Sequence, residues 1–221
     1  MFVGHFAVGL AAKRVAPAIS LGTLVLAAML ADLLWCLFLI AGIEHVEFRP
    51  AMGAANYFVA SEIGWSHSLL MDAAWGALLA AAYLLRRRSP RGAWVLFAAV
   101  VSHWLLDWIA HRPDMPLSPA AHTRFGLGLW GSIPATLAVE GGFWVLALIV
   151  YARAFRPKGR TGIFAFWIGA ALLTLAWYGN ISGPPPRDAH SAPYVSLTFF
   201  SLAVAWAYWM NRLRPAASIS A

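Results

Sequence analysis

The chain has 221 residues, 61% hydrophobic and 11% charged, with twelve Trp and a formal charge of +7. A soluble domain of this length carries a polar shell in which about a quarter of the residues are charged, so this composition excludes that class and makes the bilayer the solvent. The basic residues sit at the ends of apolar runs and form no continuous face, which argues against nucleic acid as a partner, and the single cysteine, Cys36, excludes a disulfide framework or a cysteine-based metal site.

Taken in chain order, the first apolar stretch is Phe2 to Val15, which spans only about 20 Å as a helix and is too short to cross. Its charges, Lys13 and Arg14, follow the apolar residues, the reverse of a signal peptide. Anchored by them at a membrane surface, it becomes a half-helix that carries His5 roughly 12 Å into the bilayer. Apolar runs of bilayer length follow at 19–42, 66–85, 93–111, 129–152, 163–179 and 195–211. They predict six transmembrane helices. Between them lie breaks rich in Gly, Pro and charge, such as Arg86-Arg87-Arg88-Ser89-Pro90-Arg91, Arg112-Pro113-Asp114-Met115-Pro116 and Gly183-Pro184-Pro185-Pro186.

Threading six spans alternately puts Lys13, Arg14, Arg86, Arg87, Arg88, Arg91, Arg153, Arg156, Lys158, Arg160, Arg212 and Arg214 on one side. Only Arg49, Arg112, Arg124 and Arg187 fall on the other. By the positive-inside rule the larger set faces the cytoplasm, and both termini with it. The expected fold is an all-α polytopic bundle, one membrane domain over 1–215 with a short tail at 216–221. Trp65, Trp94, Trp130 and Trp209, near span ends, read as interfacial anchors.

Four acidic residues fall inside predicted spans: Asp32, Asp72, Asp107 and Glu140. Each is costly at mid-bilayer and should face a protein interior with a partner, which makes all four functional candidates. His103, Asp107 and His111 recur every four residues, so a helix would set them on one face about 6 Å apart per step. Imidazole and carboxylate are the usual nitrogen and oxygen ligands of zinc and similar divalent ions. The alternative for such a ladder is a His–Asp hydrogen bond between helices. Counted from the basic ends at about 1.5 Å per residue, Asp32, Asp72 and Asp107 reach similar depth, with His67, His103 and His111 nearby. His67 and Asp72 are five residues apart and project differently, so His67 is the expected ligand, with Ser66 as helix cap, and Asp72 is expected to pair with a neighbouring helix. Glu140, beside Gly141-Gly142, is a candidate general base or supporting partner. Arg112 would suit an anionic group such as phosphate. Glu44, His45, Glu47, Glu62 and His122 are expected to be solvated in outer loops.

The order His5, Asp32, Ser66-His67-Ser68, Ser102-His103-Trp104-Leu105-Leu106-Asp107 resembles that of a family of bacterial inner-membrane proteins described as membrane-bound metal-dependent hydrolases. It is also distantly similar to the ligand order of zinc-dependent phospholipases C and single-strand nucleases. The resemblance covers about the first 115 residues. It implies His5, Asp32, His67, His103 and Asp107 as metal ligands, with His111 an additional candidate, holding one or two zinc-like ions. Where that family usually has a Pro before its helix-borne Asp, this chain has Ala31, and the phospholipases' later His-x-x-x-Glu pair has no counterpart here. The implied activity is hydrolysis of a lipid or lipid-linked ester by metal-activated water, with Asp32 or Glu140 taking the proton. Two other readings stay open: an ion- or proton-coupled transporter or channel using the same acids and histidines, and a non-catalytic membrane protein with a structural metal.

Overall fold

The fold is taken from a computed structural model that describes residues 1–48, 58–183 and 190–215. Arg49, Arg187, Pro184 to Pro186 and the tail 216–221 lie outside the described residues. The first helix, α1 (Phe2–Val15), has the bounds read from the sequence. It is apolar on all sides and buried, packed against α7 (Ile133–Ala154) and against two further helices, α2 (Leu21–Ala28) and α6 (Pro90–Ala110). A helix that is hydrophobic all round has no face for solvent, which is why this one sits among its neighbours.

The run expected as one helix over 19–42 is broken. Ser20 caps α2, which ends at Ala28, and α3 (Leu30–Ile40) leaves at an angle of 58°. Neither Pro nor Gly stands at the break. The Ala28 carbonyl, released there from the helical ladder, accepts a hydrogen bond from His103 Nδ1 at 2.8 Å, so an inserted side chain makes the kink. Asp32 falls in the first turn of α3, where the helix dipole favours a carboxylate.

The second predicted span is also divided. A single turn, α4 (Gly64–His67), precedes α5 (Leu69–Arg87), and the cap of α5 is Ser68, whose hydroxyl accepts from the Met71 amide, in place of the expected Ser66. The remaining helices, α8 (Gly159–Ser182) and α9 (Ala192–Leu213), follow the reading from sequence within a few residues. Two short antiparallel ribbons add to the all-α expectation: β1 (His45–Phe48) with β2 (Phe58–Glu62), and β3 (Met115–Pro116) with β4 (Arg124–Phe125).

Among the described residues, four helices, α5 to α8, are long and apolar enough to cross a membrane, and the bent pair α2 and α3 makes a fifth if counted as one span. The 22-residue α9 is long enough but falls outside that set, diluted by Ser196, Thr198, Ser201, Tyr208 and Asn211. Large apolar side chains stand exposed on the outer faces of α5, α7, α8 and α9, among them Leu78, Leu85, Leu146, Leu172, Leu175 and Leu202. A surface of that kind is stable only against lipid or protein.

Basic residues join several helix ends at one end of the bundle. Arg91 of α6 donates to the Val15 carbonyl that ends α1, and Arg214 donates to the carbonyls of Ala152, Phe155 and Gly162 while its guanidinium lies 4.6 Å from the Phe166 ring centre. Arg214 therefore ties the basic ends of α7, α8 and α9, and its bonds to Ala152 and Phe155 satisfy carbonyls that the end of α7 leaves without helical partners. At the same end α2 and α9 touch through Gly22, where a Cβ would fall inside the Tyr208 ring. Gly22→Ala is expected to push these helices apart and cost about 1–3 kcal/mol. Thermal unfolding in detergent reads this as a lowered midpoint, with Gly142→Ala, whose added methyl meets nothing within 4 Å, unchanged.

Candidate metal centre

Four helices bring five imidazoles and carboxylates together. From α6 come His103 and Asp107, one turn apart on the buried face; α1 supplies His5, α3 Asp32 and α4 His67. His5, His67, His103 and Asp107 are buried and Asp32 is nearly so, with 18% of its side chain exposed.

The second nitrogen of each of two rings fixes which atom faces the centre. His103 Nδ1 bonds the Ala28 carbonyl, which can only accept, so Nδ1 carries the proton and Nε2 presents a lone pair. His67 Nδ1 lies 2.7 Å from Ser66 Oγ, and Ser66 Oγ in turn lies 2.6 Å from Glu44 Oε2. The Ser66 hydroxyl donates to the carboxylate, so Ser66 accepts from His67 Nδ1–H and His67 Nε2 is also bare. Glu44 is itself buried, and its Oε1 accepts both the Trp65 and Ser66 amides at 2.8 Å. The expectation that Glu44 is solvated is therefore corrected. It holds the start of α4 and, through Ser66, the orientation of His67.

Around the centre, His67 Nε2 lies 3.5 Å from Asp32 Oδ1 and 3.8 Å from Asp107 Oδ2. His103 Nε2 lies 3.3 Å from Asp107 Oδ2 and 3.8 Å from Asp32 Oδ1. Ligands held about 2.0–2.1 Å from a tetrahedral zinc ion are about 3.3–3.4 Å apart. The ligand atoms of Asp32, His67 and His103 all lie within 4.8 Å of one another, a group that can close on one ion, with Asp107 Oδ2 beside both imidazoles. His103 Nε2 has no hydrogen-bond partner although it is buried. Imidazole lone pairs and carboxylate oxygens that converge repel one another, and a cation held among them would relieve that repulsion. On the far side, His5 stacks on His103 with ring centres 3.6 Å apart, and its Nε2 lies 3.1 Å from Asp107 Oδ1. His5, His103 and Asp107 thus form a second possible ligand group, which shares His103 with the group of Asp32 and His67. The Met1 nitrogen contacts Asp107 Oδ1 and lies 3.0 Å from His5 Nε2. Among the described residues, no Lys or Arg side chain pairs with Asp32 or Asp107.

His111 is set differently from the expected ladder. It is the cap residue of α6 with extended backbone, its Nδ1 lies 2.9 Å from Asp114 Oδ1, and its ring lies against Trp130. It lines the cavity beside the centre without joining either ligand group. Arg112 reaches the same Asp114 at 3.4 Å. Glu140 is buried but turned to α1, accepting from the Gly4 amide at 3.2 Å and from Trp130 Nε1 at 3.4 Å, so it satisfies an amide of the first turn. Trp130, expected as an interfacial anchor, is a wall of the site. Asp72 accepts from the Trp104 amide at 3.1 Å and so fixes the α6 backbone immediately after His103.

A cavity of about 110 Å³ opens on the ligand set. Its other wall comes from α8 and α9 through Asn180, Ser196 and Phe200, positions that the sequence reading left without a role. Their signal, polar residues within apolar helices, is present but weak.

No curated protein matches this chain, and no solved structure does. Residues 1–182 match the family described as YdjM inner membrane protein. The match extends through α8, past the roughly 115 residues that carry the ligand order. The apolar helices and this match agree on a bacterial inner-membrane protein, and the chain belongs to the YdjM inner membrane protein family.

Proposed function

We propose that the protein is a membrane-embedded hydrolase that holds a divalent metal, zinc or one of similar preference, between His67, His103, Asp32 and Asp107, and acts on a lipid or lipid-linked ester. The observation that carries this reading is the set of nitrogen–oxygen separations of 3.3–3.8 Å around one point, with the buried His103 Nε2 left without a partner. A metal bound there supplies a Lewis acid and a water whose pKa is lowered toward neutrality. The chain's own contribution is positional. Asp32 is the carboxylate of the set that is partly open to the cavity, which suits it to take a proton from an incoming water. Glu140 is engaged with α1 and Trp130, which leaves Asp32 as the better candidate of the two. Trp35, Trp130 and Phe200 give the cavity an apolar lining suited to a lipid-like substrate.

In this reading the bent α2–α3 pair and α9 both cross, giving six spans, with the basic end and both termini in the cytoplasm. The test is elemental analysis of detergent-purified protein, followed by assay against phospholipid and a chromogenic phosphodiester with and without chelator. Stoichiometric metal with chelator-sensitive turnover is the expected result. Metal without turnover would leave a structural or transport role, and protein without metal after zinc loading would overturn the proposal.

A further inference from the structure

A second cavity, of about 650 Å³, lies at the basic end, between α5 and α9 with the start of α2 as its floor. Its volume is within the range of about 300–1,000 Å³ typical of small-molecule sites. Arg86 and Arg87, the last residues of α5, line one side. Opposite them stand Ser20, Thr23, Tyr208 and Asn211. The hydroxyls form a chain: Ser20 Oγ lies 2.7 Å from Thr23 Oγ1, which lies 3.1 Å from the Tyr208 hydroxyl. Asn211 Oδ1 accepts the Leu21 amide at 3.0 Å, so its amide nitrogen remains to donate. The start of α2 is thus satisfied from within, and the cleft offers guanidinium, hydroxyl and amide donors.

Deeper in, the walls turn apolar through Leu79 and Leu96, and the adjoining outer face of α5 presents Leu78, Leu84 and Leu85. Two cations and several neutral donors beside an apolar helix face match an anionic group carried on acyl chains. We infer that this cleft binds the headgroup of an anionic phospholipid, with Arg86 and Arg87 on the phosphate and the acyl chains along α5. The chemistry is that of basic pockets between transmembrane helices generally. The inference stands apart from the metal centre.

The experiment is native mass spectrometry of the full chain in detergent micelles doped with phosphatidylglycerol or with phosphatidylcholine. Wild type is expected to retain phosphatidylglycerol in preference. The double substitution Arg86→Gln, Arg87→Gln is expected to weaken that retention about tenfold or more. The control, Arg153→Gln with Arg156→Gln, removes the same charge from exposed positions at the same end and should change it little. Tyr208→Phe, which leaves charge untouched, should weaken retention by a smaller factor. Equal loss in both arginine pairs would mean general surface electrostatics and overturn the site, as would equal retention of the two lipids. Displacement of the lipid by excess inorganic phosphate would also overturn it, because the cleft would then be a free-anion site.

Discussion

His103→Ala is expected to abolish stoichiometric metal binding, with zinc content falling from about one ion per chain to background by elemental analysis. Structural zinc sites draw on the order of 10 kcal/mol from their ligands. His103 donates one of the two nitrogens that lie within 3.8 Å of both carboxylates, so its loss leaves His67 alone between Asp32 and Asp107. It also leaves the Ala28 carbonyl without its donor. Asp107→Asn offers a gentler comparison. It keeps the volume and an acceptor oxygen but removes the charge, and is expected to weaken zinc by about 10- to 100-fold without removing the helix contacts. If His103→Ala protein stays folded in detergent and binds zinc as wild type does, the ion is elsewhere and the proposed centre is wrong.

Glu44→Gln is expected to lower zinc affinity by about 10- to 100-fold although the side chain touches no ligand atom of the centre. The reason is the direction of a proton. Glu44 accepts a hydrogen bond from the Ser66 hydroxyl, which obliges Ser66 to accept from His67 Nδ1–H and leaves His67 Nε2 bare. A glutamine keeps one oxygen for the Trp65 and Ser66 amides but turns its NH₂ toward Ser66. Ser66 must then donate to His67 Nδ1, which places the imidazole proton on Nε2, at the position of the metal. Turning the glutamine over would set its NH₂ against two backbone donors, a costlier arrangement. Ser66→Ala removes the hydroxyl altogether and should fall between wild type and Glu44→Gln. Competition with a chelating dye measures the affinities, and unchanged zinc binding in Glu44→Gln would show that His67 is oriented by packing alone.

What could be read from sequence was whatever repeats along one helix or depends on length. The bounds of α1, the apolar runs and the four-residue step from His103 to Asp107 all have that character, and each is present in the structure. What could not be read depends on contacts between distant segments. Glu44 is an unremarkable loop glutamate until the start of α4, about twenty residues on, folds over it. The break after Ala28 leaves no trace in an unbroken apolar run, because its cause is a histidine in another helix. His111 is an intermediate case. The spacing favoured a ladder, but Pro113 two residues later already disfavours continued helix, and α6 ends at Ala110. Asn180 and Ser196 carry no charge to mark them in the sequence, although an uncharged donor inside a membrane is also an uncommon placement.

The kink held by His103 makes two ligands interdependent. A proline would impose a bend permanently, through its own ring. Here the bend is held by a side chain whose other nitrogen belongs to the centre, so the path of α3, and with it the position of Asp32, is conditional on His103. The helix geometry and the ligand set therefore form one cooperative unit, in which losing the imidazole on α6 also releases the carboxylate on α3.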